Sequence, residues 1–219
     1  RRMVPDSARR SPAWPEAGGR CGAMAVASPA VAATDPDITP DTKDWTWVLD
    51  TACPDCGFDA AGVTRDEIGA AIRANAAEWP ELLAGTSATT RPTPQQWSAV
   101  EYACHVRDVH RIFEHRLRLM LAEDDPEFEN WDQDVTAVEE RYDLQDPAVV
   151  SRELVAAAES HAVAWDAVDA HQWDRTGRRS NGSLFTVDSL ARYMLHDPIH
   201  HVVDVRQLDF GLRLVEPDR

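Results

Sequence analysis

The histidines near the end of the chain offer the clearest chemistry in this sequence. The segment His196-Asp197-Pro198-Ile199-His200-His201 places His196 and His200 four residues apart. On a helix, this spacing puts both imidazoles on one face, with Cβ atoms roughly 5–6 Å apart, as two ligands of one cation require. Solvated or core histidines are the competing interpretation, because a chain with eight histidines produces such pairs by chance.

A third histidine lies in an earlier apolar stretch. His105 has Ala103, Cys104 and Val106 as near neighbours, which predicts that it points into the core. A lone inward histidine is more often a satisfied core residue than a ligand. If it faces the later pair, however, it completes a set of three ligands with open coordination positions, the feature that separates catalytic from structural metal sites. The pattern therefore predicts a divalent-metal site of His105, His196 and His200.

These segments resemble the DinB-like superfamily, which includes the mycothiol-dependent maleylpyruvate isomerases and related thiol transferases. The likeness rests on Trp97 eight residues before His105 and on the late His-x-x-x-His pair, and it covers about residues 45–210. The isomerase branch has Glu where this chain has His196, and His-Val-Asp-Leu follows its second ligand. Here His200 is followed by His201-Val202-Val203-Asp204-Val205, which is one residue longer.

The resemblance implies a cofactor and a reaction. It implies that His105, His196 and His200 bind zinc or nickel, and that a low-molecular-weight thiol such as mycothiol is the co-substrate. A metal with an open position lowers the pKa of a bound thiol or water and polarises a carbonyl. Thiol transfer to a small molecule, or thiol-assisted isomerisation, is then the expected reaction. The alternative is a non-catalytic, metal-bearing binding or stress-response bundle, and the sequence identifies no general base.

Pro198 leaves two registers open for the second ligand of the pair. A proline inside a helix removes one backbone hydrogen bond and bends the helix. Asp197 could instead cap a new helix that begins at Pro198. In that case His201 becomes the alternative ligand in place of His200. We favour His200 because its four-residue spacing from His196 matches the family.

The cysteines do not suggest a disulfide scaffold, because the chain has only Cys21, Cys53, Cys56 and Cys104. Cys53-Pro54-Asp55-Cys56 is the one close pair. A zinc ribbon needs a second such pair, and a thioredoxin-like motif needs a βαβ setting. We interpret the two residues as ordinary reduced thiols without an essential role. Redox and metal-binding roles remain alternatives, since the turn they form could lie over the mouth of the site.

Several other polar residues are candidates for supporting roles. Glu101, Asp108, Asp197 and Asp204 are candidate acceptors for the second N–H group of a ligating imidazole. Solvation at the surface is the simpler interpretation for each of them. The run from Arg178 to Ser183 is interpreted as a plain turn, although a basic loop near the site could hold a carboxylate substrate.

Caps and apolar periodicity predict an all-α fold, most simply an antiparallel four-helix bundle of the DinB-like type. The predicted long helices cover Arg65–Leu83 after the Thr64 cap, Pro94–Ala122 after the Thr93 cap, Pro147–Asp169 after the Asp146 cap, and the residues from the Thr186 cap to Leu208. A shorter helix is predicted over Asp132–Arg141. Trp45–Leu49 is a weak strand candidate.

The charge distribution limits the partners of the folded domain. Residues 1–44 hold six basic and six acidic side chains, so residues 45–219 carry the whole net charge of −16. An excess of negative charge disfavours nucleic acid and anionic membranes, so we expect a small-molecule substrate. A homodimer is an open alternative.

Residues 1–44 are predicted to be a disordered tail and residues 45–219 the bundle domain. The stretch after Arg20 is a poor signal peptide, which favours a cytoplasmic location.

Overall fold

The helices begin where side chains satisfy the first backbone N–H groups, as the sequence suggests. The computed structural model describes Asp35, residues 37–40 and residues 43–215, with the backbone alone for 209–215. Most of the predicted tail lies outside these residues. The α-helices are α1 (Ile68–Ala76), α2 (Trp79–Leu82), α3 (Ala99–Ala122), α4 (Gln133–Glu139), α5 (Pro147–Asp166) and α6 (Val187–Val215). The strands are β1 (Glu127–Phe128), β2 (Thr176–Arg179) and β3 (Leu184–Thr186).

The caps show where the predicted helix boundaries were right and where they were wrong. Asp146 caps α5 by accepting a hydrogen bond from the Val149 N–H at 2.9 Å, which confirms that prediction. The Thr93 cap is wrong, because α3 begins at Ala99 with Ser98 as its cap. Glu101 there accepts from the Ser98 N–H at 2.9 Å and completes a capping box, which satisfies two donors instead of one.

The first predicted helix is interrupted. Thr64 and Glu67 form the expected capping box, but a 3-10 turn over Arg65–Glu67 precedes α1. The helix then ends at Ala76 and restarts as α2, which contains Pro80. Proline lacks the N–H that would bond to the carbonyl four residues earlier, and its ring clashes with that carbonyl. A continuous helix through Pro80 would place this defect at Ala76, where α1 stops.

The bundle has a connectivity that does not follow chain order. Helix α1 packs against α5 and α6, and α3 packs against the same two helices. The successive long helices α1 and α3 therefore occupy opposite corners, while α3 and α6 are neighbours. The predicted all-α bundle is confirmed. Its core contains large side chains that are almost completely buried, among them Trp79, Leu117, Met120, Leu154, Trp165 and Leu190.

A small sheet accompanies the helices, and none of its strands was predicted. Strands β2 and β3 form an antiparallel hairpin closed at Gly182, whose φ of 97° lies in the left-handed region that favours glycine. Strand β1 pairs with β2 in parallel. The strand candidate Trp45–Leu49 is wrong, since these residues form a 3-10 helix capped by Asp44, which accepts from the Thr46 N–H at 3.0 Å.

Helix α6 continues through Pro198. Because Pro198 has no N–H, the carbonyl of the buried Met194 lacks its usual helical donor. The carbonyl of Pro198 accepts a bond from the side-chain amide of Asn75 at 2.9 Å, which connects α1 to α6. The alternative of a separate helix beginning at Pro198 is therefore wrong. Within residues 35, 37–40 and 43–215, no helix combines the length and apolar composition that crossing a membrane requires.

Two buried histidines join α3 to α5. The Trp165 indole can only donate, so Nε2 of His161 accepts its N–H at 2.7 Å. A neutral His161 then carries its proton on Nδ1 and donates to Nδ1 of His110 at 3.2 Å. Burial, against a smaller effect of Asp197, lowers the pKa of His110 to about 4. Burial, followed by the charge of His110, lowers the pKa of His161 well below its ordinary value.

We expect replacement of Pro198 by alanine to raise the stability of the protein in chelator by as much as about 3 kcal/mol, because the Met194 carbonyl regains its helical donor. Thermal or urea unfolding with and without chelator measures the effect. If Pro198→Ala instead destabilises the metal-free protein, α6 does not prefer to run as one continuous helix through residue 198.

We expect the free energy of unfolding to fall as the pH is lowered from about 6.5 toward 4. Below the ordinary histidine pKa, both histidines are protonated in the unfolded chain but stay neutral in the folded protein. The free energy of unfolding therefore falls by roughly 1 kcal/mol per pH unit for each of His110 and His161. Urea unfolding between about pH 5 and 7, where carboxylates stay ionised, measures the slope. His110→Gln should flatten it, whereas His115→Gln, an exposed change on the same helix, should not. Equal slopes in the unaltered protein, His110→Gln and His115→Gln would show that His110 does not cause the pH dependence.

Candidate metal centre

Helices α3 and α6 bring His105 to the polar run of α6. The His105 side chain is fully buried, and its ring stacks on Trp131 with centroids 5.1 Å apart. Its Nε2 atom lies 3.1 Å from Oδ1 of Asp197. Nε2 of His201 lies 3.7 Å from the same carboxylate oxygen. His105, Asp197 and His201, here called the first cluster, each offer a ligand atom within 4.8 Å of the others.

The donor atoms of the first cluster fit a divalent cation. Asp204 accepts the Nδ1–H of His201 at 2.9 Å, which leaves the Nε2 lone pair of His201 facing Asp197. Metal-bound histidines are usually fixed in this manner by a carboxylate on the opposite nitrogen. Burial would raise the pKa of Asp197, but the neighbouring His105 and His201 hold it well below its ordinary value. The carboxylate is therefore an anion ready to bind. His105 differs from the usual pattern, since its buried Nδ1 has no hydrogen-bond partner among the described residues.

A second cluster consists of Cys53, Cys56, His196 and His200, whose ligand atoms also lie within 4.8 Å of one another. Nδ1 of His200 is 3.7 Å from Sγ of Cys53. Burial, and then the charge of His200, lowers the pKa of His196 to about 4, so its imidazole is neutral. Burial raises the pKa of the Cys56 thiol to about 11. The cysteine turn thus lies against the histidine pair.

The structure places the predicted ligands in two different clusters. His105 contributes to the first, whereas His196 and His200 contribute to the second. The physical reason is the helical repeat, since residues 196 and 197 point about 100° apart around α6. The faces that carry 197 and 201 turn toward His105. His201, the alternative ligand, is thus the residue brought to His105, and it arrives there on a continuous helix.

From the sequence, Asp197 is predicted only as an outer acceptor, although the chain contains a signal for it as a candidate ligand. Counted from His201, the run Val202-Val203-Asp204-Val205 has the length of the isomerase motif, and the residue four positions earlier is an acid, as in that branch. When the register moves by one residue, the length agrees and the first position is an acid, although Val202 then stands where the isomerase branch has His. The four-residue spacing that favours His196 and His200 is shared by Asp197 and His201, so spacing alone does not separate the two pairs.

Of the other candidate outer acceptors, only Asp204 contacts the histidines of the clusters. Asp204 contacts histidines of both clusters, with Oδ2 on His201 and Oδ1 at 3.7 Å from Nε2 of His200. Glu101 instead pairs with Arg91, and Asp108 pairs with Arg107 and accepts from the Tyr142 hydroxyl at 2.6 Å. Neither of the latter two supports His105.

A cavity of about 110 Å³ opens beside the first cluster. Its walls include Asp197 and His201 of the first cluster and His196 and His200 of the second. The indoles of Trp45 and Trp131 and the guanidinium groups of Arg116 and Arg179 complete these walls. A positively charged wall is notable in a chain of net charge −16.

Neither arginine of this cavity forms a salt bridge with a carboxylate of the described residues, although the charge of Arg179 acts on Asp44. Arg116 is almost fully buried and donates to the Glu129 carbonyl at 2.9 Å. Burial, and then repulsion by Arg179, lowers the pKa of Arg116 to about 10, which leaves it charged at neutral pH. Arg179 donates to the hydroxyls of Tyr193 at 3.3 Å and Ser183 at 3.1 Å. Both guanidinium groups therefore contribute positive charge to the cavity wall.

The comparisons with known proteins support the fold. No protein-family model matches the chain, and no curated protein sequence matches it. One solved structure that is similar to it is YfiT from Bacillus subtilis, which is described as a probable metal-dependent hydrolase with an unusual four-helix bundle topology. The TM-score is 0.62 at 16% sequence identity, and the match covers 68% of this chain and 87% of YfiT. At this identity the likeness establishes a shared four-helix bundle fold.

Proposed function

We propose that this chain is a metal-dependent enzyme in which His105, Asp197 and His201 hold the cation. The observation that carries the proposal is that Asp197 and His201 of this three-donor cluster line a cavity walled by Arg116 and Arg179. Two imidazoles and one carboxylate leave coordination positions free, as catalytic sites do. Zinc or nickel is the cation expected by resemblance, and the same donors also suit iron(II).

The residues of the cavity define the class of substrate. Arg116 and Arg179 would bind a carboxylate or phosphate group, because guanidinium groups form charge-assisted hydrogen bonds with both. Burial raises the pKa of Tyr193, so its hydroxyl stays protonated and can donate beside Arg179. Trp131 and Trp45 give the cavity apolar surface. The substrate is therefore a small anionic molecule with an apolar portion.

The chemistry of the site follows from the nucleophile that it activates. A bound cation would lower the pKa of water or of a thiol and polarise a carbonyl group. Hydrolysis is the first reaction to test, because YfiT is described as a probable hydrolase. Transfer of a low-molecular-weight thiol such as mycothiol, or thiol-assisted isomerisation, is the second, because the DinB-like resemblance implies it. The same chain residues would serve both reactions.

We expect His105→Ala and His201→Ala each to abolish cation binding at the first cluster, because two donors are too few. Affinity should fall by more than the roughly 10–100-fold that loss of an outer partner costs. Metal titration and elemental analysis measure binding. Turnover is measured with anionic esters and amides, and with thiol and electrophile pairs.

The control for this experiment is His171→Ala, which removes an exposed histidine that belongs to neither cluster. It should keep the cation and any turnover of the unaltered protein. Equal cation binding in the two ligand variants and in this control would disprove the proposed triad. A bound cation without turnover on either panel would favour the non-catalytic alternative.

We expect Arg179→Gln to weaken binding of a small carboxylate or phosphate by roughly 10–100-fold, since a hydrogen bond to a charged group contributes about 1.5–3 kcal/mol. Calorimetric titration with the anion and with its neutral amide or ester measures the effect, and the neutral analogue should be unaffected. Arg178→Gln is the matched control, because the adjacent Arg178 pairs with Asp125 instead of lining the cavity. Unchanged anion affinity in Arg179→Gln would overturn the substrate class.

A further inference from the structure

The turn that carries Cys53 and Cys56 is shaped to present both thiols to α6. The Cys53 N–H donates to the Phe58 carbonyl at 2.8 Å, and the Gly57 N–H donates to the Cys53 carbonyl at 2.8 Å. Gly57 has a φ of 76°, in the left-handed region that favours glycine. These bonds reverse the chain directly after Cys56 and keep the two side chains together. Both cysteines are free thiols.

Helix α6 supplies two nitrogen donors opposite this turn. His196 and His200 are one turn apart, and their ring centroids are separated by 5.1 Å. In a tetrahedral zinc site, bond lengths of about 2.3 Å to sulfur and 2.0 Å to nitrogen place the ligand atoms roughly 3.3–3.8 Å apart. Sγ of Cys53 and Nδ1 of His200 already lie 3.7 Å apart. The side chains need only small adjustments to close around one ion.

A buried nitrogen without a partner is the second observation that favours an ion here. Nε2 of His196 has no hydrogen-bond partner among the described residues, and only 4% of the residue is exposed. Such an unpaired polar atom is costly in a protein interior. Trp45 and Phe58 cover the His196 ring at centroid distances of 5.2 and 5.8 Å, so the site is shielded by aromatic groups. A metal bond would satisfy the nitrogen.

We propose that Cys53, Cys56, His196 and His200 form a structural zinc site adjacent to the first cluster. Two thiolates and two imidazoles complete a tetrahedron and leave no open position, which is the pattern of structural zinc. Asp204 faces Nε2 of His200 and would fix that ring, as outer carboxylates do in zinc sites. The inference depends on these four donors and is independent of the function proposed for the first cluster.

The zinc ion would fasten the cysteine turn to the helix that carries Asp197 and His201. The segment that follows the turn is already attached to α6, because the Arg192 guanidinium donates to the carbonyls of Ala60 and Val63. A metal bond at Cys53 and Cys56 adds a second attachment next to the first cluster. It would fix the rotation of α6 about its axis, and thereby the direction in which Asp197 and His201 point.

The test is an anaerobic titration of the full-length, reduced protein with Co²⁺ and then Zn²⁺. We expect a sulfur-to-cobalt charge-transfer band in the near ultraviolet together with the intense visible bands of tetrahedral cobalt, all bleached by zinc. Cys53→Ser/Cys56→Ser should lose these bands and one equivalent of bound metal. His105→Ala/His201→Ala should keep them, which separates failure of this site from failure of the first cluster.

Cys104→Ser is the matched control, because Cys104 is a buried thiol of α3 that belongs to neither cluster, and it should retain the bands. If the cysteine variant does not fold, thiol reactivity of the unaltered protein decides the question. Zinc should protect two thiols from a thiol reagent, and chelator should expose them. Absence of the charge-transfer band, unchanged thiol reactivity with zinc, or a Cys53–Cys56 disulfide that persists in reductant and excess zinc would each overturn the proposal.

Discussion

The helical repeat of α6 is the constraint on which the arrangement of the site depends. Two pairs four residues apart, 196 with 200 and 197 with 201, overlap on this helix with an offset of one residue. An offset of one residue is a rotation of about 100°, so the two pairs face different partner elements, although all four residues line the same cavity. Each pair needs its own facing partner. Helix α3 supplies His105 to one pair, and the turn at Cys53 and Cys56 supplies thiols to the other.

Asp204 couples these two faces because it lies one turn further along the same helix. Its two carboxylate oxygens face one histidine of each cluster. A change at either cluster that moves Asp204 would therefore also alter its contact with the histidine of the other cluster. The carbonyl of Pro198, which follows Asp197 in the sequence, accepts a hydrogen bond from Asn75 and so connects this part of α6 to α1.

The positive wall of the cavity stands out against the acidity of the chain. Most cationic side chains here form ion pairs at the surface, which contribute little stability. Arg116 is instead buried, where its charge is compensated by the Glu129 carbonyl and by the ring faces of Phe113 and Phe128, at 4.8 and 5.0 Å. Desolvating a guanidinium group without a carboxylate is unfavourable for folding. Strand β2 adds Arg179 to the same wall.

The sequence by itself determined the class of fold and the residues from which a metal site could be built. Helix caps and apolar periodicity are local properties, so Asp146 and Thr186 marked the starts of α5 and α6 correctly, and the helical character of the bundle followed. Short strands such as β1 and β2 were missed because they pair across distant parts of the chain and carry no periodic pattern.

The tertiary structure alone decided which histidines meet. Spacing along one helix shows which residues share a face, but the direction of each face depends on how α6 packs against α3 and on where the cysteine turn lies. For that reason the sequence gathered His105, His196 and His200 into one site, while packing separated them and brought Asp197 and His201 to His105.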